Sequence, residues 1–245
     1  MTSYTCDFCG IAVSADDVDT LMPVVKAHFD DAHSELGLTM VSVRNYFEAL
    51  DRLTGPTERL TEIGPVETMP VTADQLNDFV AFFDHDAFAG LPEWASCYCM
   101  FHHVGGHTSD EWGERTWQQN REEIAERIRT GRTTGIVAYA DGKIVGWCNA
   151  SLRSEFPEHL AGSAEDEHVL VTRCFQTAPP YRGHGVAGKL LDAAVAYARE
   201  RGCVAVEGYP NPDPEASAPA AYPGPAALYR SAGFDVEDRH AWLRL

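Results

Sequence analysis

The chain has 245 residues, 37 of them Asp or Glu against 19 Lys or Arg, for a formal net charge of −18. With no basic stripe anywhere, that balance argues against nucleic acid as a partner, and it suits solubility first and a cationic ligand second. No apolar run reaches membrane-spanning length and no signal-type leader is seen. The seven cysteines fall largely in C-x-x-C and C-x-C pairs, so a reducing compartment is expected, the cytoplasm being the simplest. A chain of this length suits one domain with an appendage and can bury a core without disulfides.

Cys6-x2-Cys9, then eighteen residues, then His28-x4-His33, has the composition of a tetrahedral zinc site. Gly10 follows the cysteine pair as in a knuckle turn. The histidines close an apolar-periodic segment (Val18, Leu21, Val24, Val25, Phe29) too short to build a core alone, so Zn2+ would supply folding free energy. The alternative is a chance grouping, against which both pairs have proper ligand spacing. The gap is long for a DNA-reading finger, and Asp16, Asp17, Asp19, Asp30 and Asp31 would repel phosphate, so the expected role is structural. Residues 39–53 form an expected amphipathic helix with Val43, Tyr46, Phe47, Leu50 and Leu53 on its apolar stripe. Residues 54–65, punctuated by Gly-Pro at both ends, read as a linker. The expected organisation is a zinc-binding module over 1–36, a helix and linker over 37–65, and a larger domain over 66–245.

In that domain the pattern predicts a strand at 66–71 and helices at 73–83 and 110–130. Strands at 134–140 and 143–152 are joined by the hairpin signal Asp141-Gly142. An acidic loop, 153–167, leads to a β-branched strand at 168–176, stopped by Pro179 and Pro180. After the glycine-rich run Tyr181-Arg182-Gly183-His184-Gly185-Val186-Ala187, apolar residues Val186, Leu190, Leu191, Ala194 and Ala198 mark a helix ending at Gly202. A strand at 203–208, a Pro/Ala-rich stretch at 210–225, a helix at 226–234 and a last strand complete the chain. Strand, glycine turn and helix together aim free backbone N–H groups at one point, a seat for phosphate. An ordinary βα turn is the alternative, since neither a P-loop nor G-x-G-x-x-G is present.

The loop resembles the pyrophosphate loop of the GNAT superfamily of N-acetyltransferases: Arg182, Gly185 and Ala187 match its Arg/Gln-x-x-Gly-x-Gly/Ala pattern. Residues 226–234, AALYRSAGF, resemble the superfamily's closing helix. The resemblance, with the order of elements from residue 66 onward, implies an α/β (α+β) GNAT fold, a mixed and mostly antiparallel sheet flanked by helices. It implies direct acetyl transfer from acetyl-CoA to an amine. By resemblance, residues 182–187 (Arg182, Gly183, His184, Gly185, Val186, Ala187) hold the pyrophosphate, and Phe175, Gln176 and Thr177 lie where the backbone pairs with the pantetheine arm. Tyr229 matches the tyrosine that protonates the departing thiolate, against the alternative of a packed tyrosine.

Two positions depart from the family pattern. Val171 stands where some members carry a basic glutamate, so Glu207 in VAVEGYP is the substitute base, an ion-paired structural carboxylate or a water chain being the alternatives. Tyr222 replaces an Asn that usually stands seven residues before the tyrosine. The segment WASCYCMFHHVGGH, 94–107, is expected to line the acceptor pocket through Trp94, Cys97 and Cys99. A second metal site of Cys97, Cys99, His102, His103 and His107, or a nucleophilic cysteine, is the alternative. The expected acceptor is a small primary amine, cationic, a metabolite or an aminoglycoside-like antibiotic. The rivals are a protein acetyltransferase recruited by the zinc module and a non-catalytic acyl-CoA sensor. Neither nucleic acid nor membrane is expected as partner, and a homodimer stays open.

Overall fold

The computed structural model describes residues 1–106, 111–157, 168–211 and 222–245. At the amino terminus, strands β1 (Thr2–Thr5) and β2 (Ala12–Ala15) pair antiparallel around the Cys6–Gly10 turn. That turn is closed by the Gly10 N–H on Cys6 O at 2.7 Å, with Gly10 at φ 74°, where a side chain would be strained. Helix α1 (Val18–Ala32) starts at Asp17, whose carboxylate accepts the Thr20 N–H at 2.8 Å. It buries Leu21, Met22, Val25 and Phe29 against Cys6 and against Val43 and Phe47 of helix α2 (Met40–Arg52).

The stripe of α2 differs from the expected one. Val43 and Phe47 are buried, but Leu50 is 50% exposed, because the helix also turns Asn45, Ala49 and Arg52 toward the larger domain. Asn45 Nδ2 donates to Arg115 O (2.9 Å) and its Oδ1 accepts the Trp117 N–H (3.0 Å). Arg52 donates to Ala95 O (3.0 Å) and to the Tyr98 hydroxyl (2.8 Å), its guanidinium lying over the Trp117 ring. So α2 closes the small core and also belongs to the wall of the large one.

The main sheet has the order β3-β4-β5-β6-β7-β9-β8: β3 (Glu67–Pro70), β4 (Gly135–Ala140), β5 (Lys143–Leu152), β6 (Val169–Thr177), β7 (Ala205–Gly208), β8 (Asp235–Glu237) and β9 (His240–Arg244). Among the described strands, only the β6/β7 pairing within it is parallel. Asp141 (φ 52°) and Gly142 (φ 80°) make the β4–β5 turn that their sequence announces. The single last strand expected from the sequence is a hairpin, turned at Asp238 (φ 49°).

Helix α3 (Leu76–Ala81) runs on into a π-helical turn, Phe82–Asp86, beyond the expected end at residue 83. Helix α4 (Trp117–Arg129) starts later than expected, because Thr116 and Gln119 form a capping box there. Helix α5 (Val186–Glu200) lays Val186, Leu190, Leu191, Ala194, Val195 and Ala198 on the sheet, and the short helix α6 (Ala226–Ser231) follows β7. Gly146 permits the close approach of α5: a methyl group there would stand 2.7 Å from Val186 Cγ1. The result is the mixed α/β fold read from the sequence. Among the described residues no helix is long and apolar enough to cross a membrane.

Candidate active site

The parallel pair β6/β7 runs only from Val169↔Ala205 to Thr172↔Gly208. Beyond that point β7 has ended, while β6 continues to Thr177 with β5 as its remaining strand partner. Among the described residues, no strand pairs with the backbone groups on the freed side of β6. The Phe175 N–H finds Tyr222 O instead, at 2.7 Å. At the same divergence sits Tyr229, fully buried, its ring edge-on to Phe175 and Phe234. Its hydroxyl donates to Pro223 O (2.9 Å) and lies 3.1 Å from Thr172 Oγ1, which donates in turn to Glu207 O (3.0 Å). A methyl group on Gly208 would stand 2.1 Å from Tyr229 Cε1, so only glycine leaves room for the ring. Burial pushes the phenol well above its ordinary pKa and keeps it protonated at neutral pH.

Gln176 is buried and donates to Ala87 O, and Thr177 O accepts from Arg182 Nε at 3.0 Å. Arg182 is thus tied to the end of the strand, half-buried, its pKa lowered by that burial. Gly183 (φ 80°) and Gly185 (φ 77°) bend the loop into α5, with Gly185 as N-cap and no side chain capping the helix. The first N–H groups of a helix have no intrahelical acceptor, so the stretch Gly183–Ala187 presents donors and the positive end of the helix dipole. His184 Nε2 donates to Leu60 O (2.9 Å), and the Leu60 N–H to Pro180 O (2.9 Å), so the segment after α2 lies along this loop.

Glu207 has surroundings other than the apolar ones expected of a base. It is 5% exposed; its Oε1 accepts from Arg153 (2.6 Å) and His240 (3.1 Å), and its Oε2 from the Tyr209 hydroxyl (3.3 Å). It also faces away from Tyr229, since adjacent strand residues point to opposite faces and Tyr229 packs on Gly208.

The segment around Trp94 divides in two. Trp94 is 37% exposed and its ring lies 6.3 Å from that of Tyr222, at the rim of the divergence. Cys97 is partly buried, its thiol pushed up to about 12 by desolvation. Cys99 is 2% exposed and accepts from Asn149 Nδ2 at 3.3 Å, in the core behind the wall rather than on it. Tyr98 and Cys99 both take positive φ, 43° and 63°, a strained turn held by the Tyr98 hydroxyl on Asp84 and Arg52. His103 is stacked on Phe156 (4.9 Å) and bonded to Asn149 and Arg127, with burial and the Arg127 charge bringing its pKa down to about 3. His107, like parts of the acidic and Pro/Ala-rich loops, lies outside the described residues.

Among the described residues one metal-type donor group converges, Cys6, Cys9, His28 and His33, with all donor atoms within 4.8 Å of one another. Cys6 Sγ is 3.4 Å from His33 Nε2, and Cys9 Sγ is 3.4 Å from His28 Nε2. Sulfur and nitrogen bound to one tetrahedral zinc stand roughly 3.5 Å apart, so the set has the right chemistry and the right spacing. Sequence reasoning missed Thr172, Arg153 and the segment around Leu60. Thr172 and Arg153 look like ordinary strand and loop residues, and residues 59–60 carry no motif.

A parallel strand pair that parts at its end, beside a glycine loop that opens a helix, is the arrangement that the resemblance to acyl-CoA-dependent transferases implies. Residues 97–234, more than half of the chain, match the model of the acetyltransferase (GNAT) family, and the chain belongs to that family. It is an acetyltransferase. No curated protein matches at the level of sequence. Among solved structures, it is similar to the aminoglycoside acetyltransferase AAC(6')-Ib in complex with coenzyme A, at 14% identity over 74% of this chain and 95% of that one, with a TM-score of 0.50. It is also similar to an N-acetyltransferase from Staphylococcus aureus Mu50 (12% identity, 74% and 99% covered, TM-score 0.44). A third is a ribosomal-protein-alanine N-acetyltransferase from Brucella melitensis (18% identity, 73% and 99% covered, TM-score 0.43). At these identities the likeness is one of fold.

Proposed function

We propose that the enzyme transfers an acetyl group from acetyl-CoA to the primary amine of a small, cationic acceptor. One observation carries the reading: the Phe175 N–H and the Tyr229 hydroxyl, the two donors at the β6/β7 divergence, are both taken by carbonyls of one segment, Tyr222 O and Pro223 O. A segment that satisfies both donors can give them up together. Acetyl-CoA supplies a thioester carbon to which the acceptor nitrogen bonds as the C–S bond breaks. The chain's residues supply the rest. The N–H groups of Gly183–Ala187 hold phosphate, the Phe175 N–H orients an amide or thioester carbonyl, and Tyr229 delivers a proton to the departing sulfur. Glu207 is read as holding the β7/β9 pairing, since its oxygens are committed to Arg153, His240 and Tyr209, and the amine's proton is read as leaving through water.

The net charge of −18 and the half-exposed Trp94 ring at the rim support a cationic acceptor. A second reading, a protein acceptor, is favoured by Phe8 (67% exposed) and Ile11 (51%) on the amino-terminal hairpin. In both readings Cys6, Cys9, His28 and His33 hold a structural zinc ion in a module over residues 1–36, joined by α2 and the following segment to the acetyltransferase domain. The test is release of coenzyme A from acetyl-CoA over a panel of polyamines, aminoglycosides, amino acids and lysine or N-terminal peptides. Turnover confined to small cationic amines is expected. Turnover on peptides alone would transfer the case to the second reading, and tight binding without turnover would overturn both.

A further inference from the structure

The residues read as the phosphate site all lie within 182–187, yet a further cation reaches the loop from elsewhere in the chain. A methyl group on Gly183 would stand 3.1 Å from Arg59 Nη1 and 3.2 Å from Arg59 Cζ, so the guanidinium lies against the bare Cα face of Gly183. Two hydrogen bonds on its neighbour Leu60, to Pro180 O and from His184 Nε2, hold the backbone there. Among the described residues Arg59 makes no hydrogen bond or ion pair of its own, and its side chain is exposed. Arg115, Arg121, Arg127 and Arg153, by contrast, are engaged by carboxylates.

We propose that Arg59, from outside the segment that matches the family, is a phosphate ligand of the acyl-CoA site, closing over the loop formed by Gly183–Ala187. The inference rests on the cofactor reading above. The loop provides neutral N–H donors and a helix dipole, while Arg182 is turned aside to Thr177 O. A planar guanidinium beside those donors supplies the full charge and the forked donor geometry that phosphate oxygens take best. Gly183 then has two reasons to be glycine: its positive φ, and the space a Cβ would take from Arg59.

The experiment is calorimetric binding of coenzyme A and of dephospho-coenzyme A to the whole chain, as wild type, Arg59→Gln and Arg59→Lys. Loss of one charge-assisted contact should weaken coenzyme A binding about tenfold in Arg59→Gln, with Arg59→Lys recovering part of it. The exposed side chain leaves the fold alone, so Tm should stay within about 2 °C. A deficit that persists with dephospho-coenzyme A puts the contact on the diphosphate, and one that vanishes puts it on the 3′-phosphate; both support the inference. Turnover of S-acetyl-pantetheine, which carries no phosphate, should be the same in all three proteins. Equal affinity of wild type and Arg59→Gln for coenzyme A, or an equal loss with S-acetyl-pantetheine, would overturn it. If the wild type fails to bind coenzyme A, the cofactor reading itself falls.

Discussion

Replacing Tyr229 by Phe removes one hydroxyl from a site where its partners are known. Pro223 O loses its donor, while Thr172 Oγ1 keeps Glu207 O at 3.0 Å. One partly buried carbonyl left unpaired costs about 1 kcal/mol of stability. The ring's edge contacts with Phe175 and Phe234, and its seat on Gly208, do not involve the hydroxyl. Against a total stability of roughly 5–15 kcal/mol the variant folds. The effect on turnover is expected to be larger. A positioned general acid is worth about 10²–10⁴-fold, or roughly 3–5 kcal/mol of barrier. The assay is coenzyme A release at saturating acetyl-CoA, repeated with an acetyl thioester of an acidic aryl thiol. That leaving group departs as a stable thiolate and needs no proton, so the deficit should shrink with it. A merely structural tyrosine would give the same deficit with both donors. A kcat within about twofold of wild type on acetyl-CoA, at the expected loss of stability, would refute the acid role.

Two further outcomes follow from the same reasoning. Purified protein should carry one zinc per chain by elemental analysis. Cys9→Ala should abolish it and unfold the amino-terminal unit, whose core is only seven buried residues, with coenzyme A affinity retained; full-length protein free of metal after growth in zinc would refute the site. His103, brought down to about 3 by burial and by Arg127, binds its proton far more readily unfolded, where its pKa is about 6.5. Stability from this group is therefore complete above about pH 6.5 and declines as pH falls toward 3, by about 2 kcal/mol at pH 5. Denaturant titrations at pH 7.5 and pH 5 should show that part of the acid loss missing in His103→Gln, and an unchanged pH slope would refute it.

Much of this was legible in the sequence because local chemistry and periodicity agreed. Asp141-Gly142, the apolar face of α5 and the Leu-Tyr context of Tyr229 each have one good structural solution. Glu207 was legible only as a carboxylate near the cleft. Its ion pair with Arg153 spans 54 positions of sequence, and nothing local to VAVEGYP announces the partner. The alternative of a second metal in the segment 94–107 shows a related limit. Cysteine and histidine have metal chemistry wherever they occur, but Cys99 and His103 are engaged by Asn149 of β5, beyond helix α4 and strand β4 in sequence. Burial turned a ligand-type composition into core.

The stretch 54–65 carries the same lesson for the whole molecule. Gly-Pro punctuation signals the absence of helix and strand, the pattern of a linker. The backbone is instead laid onto the domain. The Gly55 N–H donates to His85 O at 3.0 Å, and a Cβ there would stand 2.7 Å from that oxygen; a Cβ on Gly64 would stand 2.6 Å from Asp141 Oδ1. Glycine marks close approach here and not slack. With Arg52 anchored on Ala95 and Tyr98 at one end, and Leu60 bonded to Pro180 and His184 at the other, the segment spans from the turn around Tyr98 to the glycine loop ahead of α5. A catalytic fragment cut at residue 66 would therefore lack both a wall brace and the cation at Gly183. Its affinity for coenzyme A should fall at least as far as that of Arg59→Gln, and a fragment that binds coenzyme A as well as the full chain would show that the contacts of this segment serve folding alone.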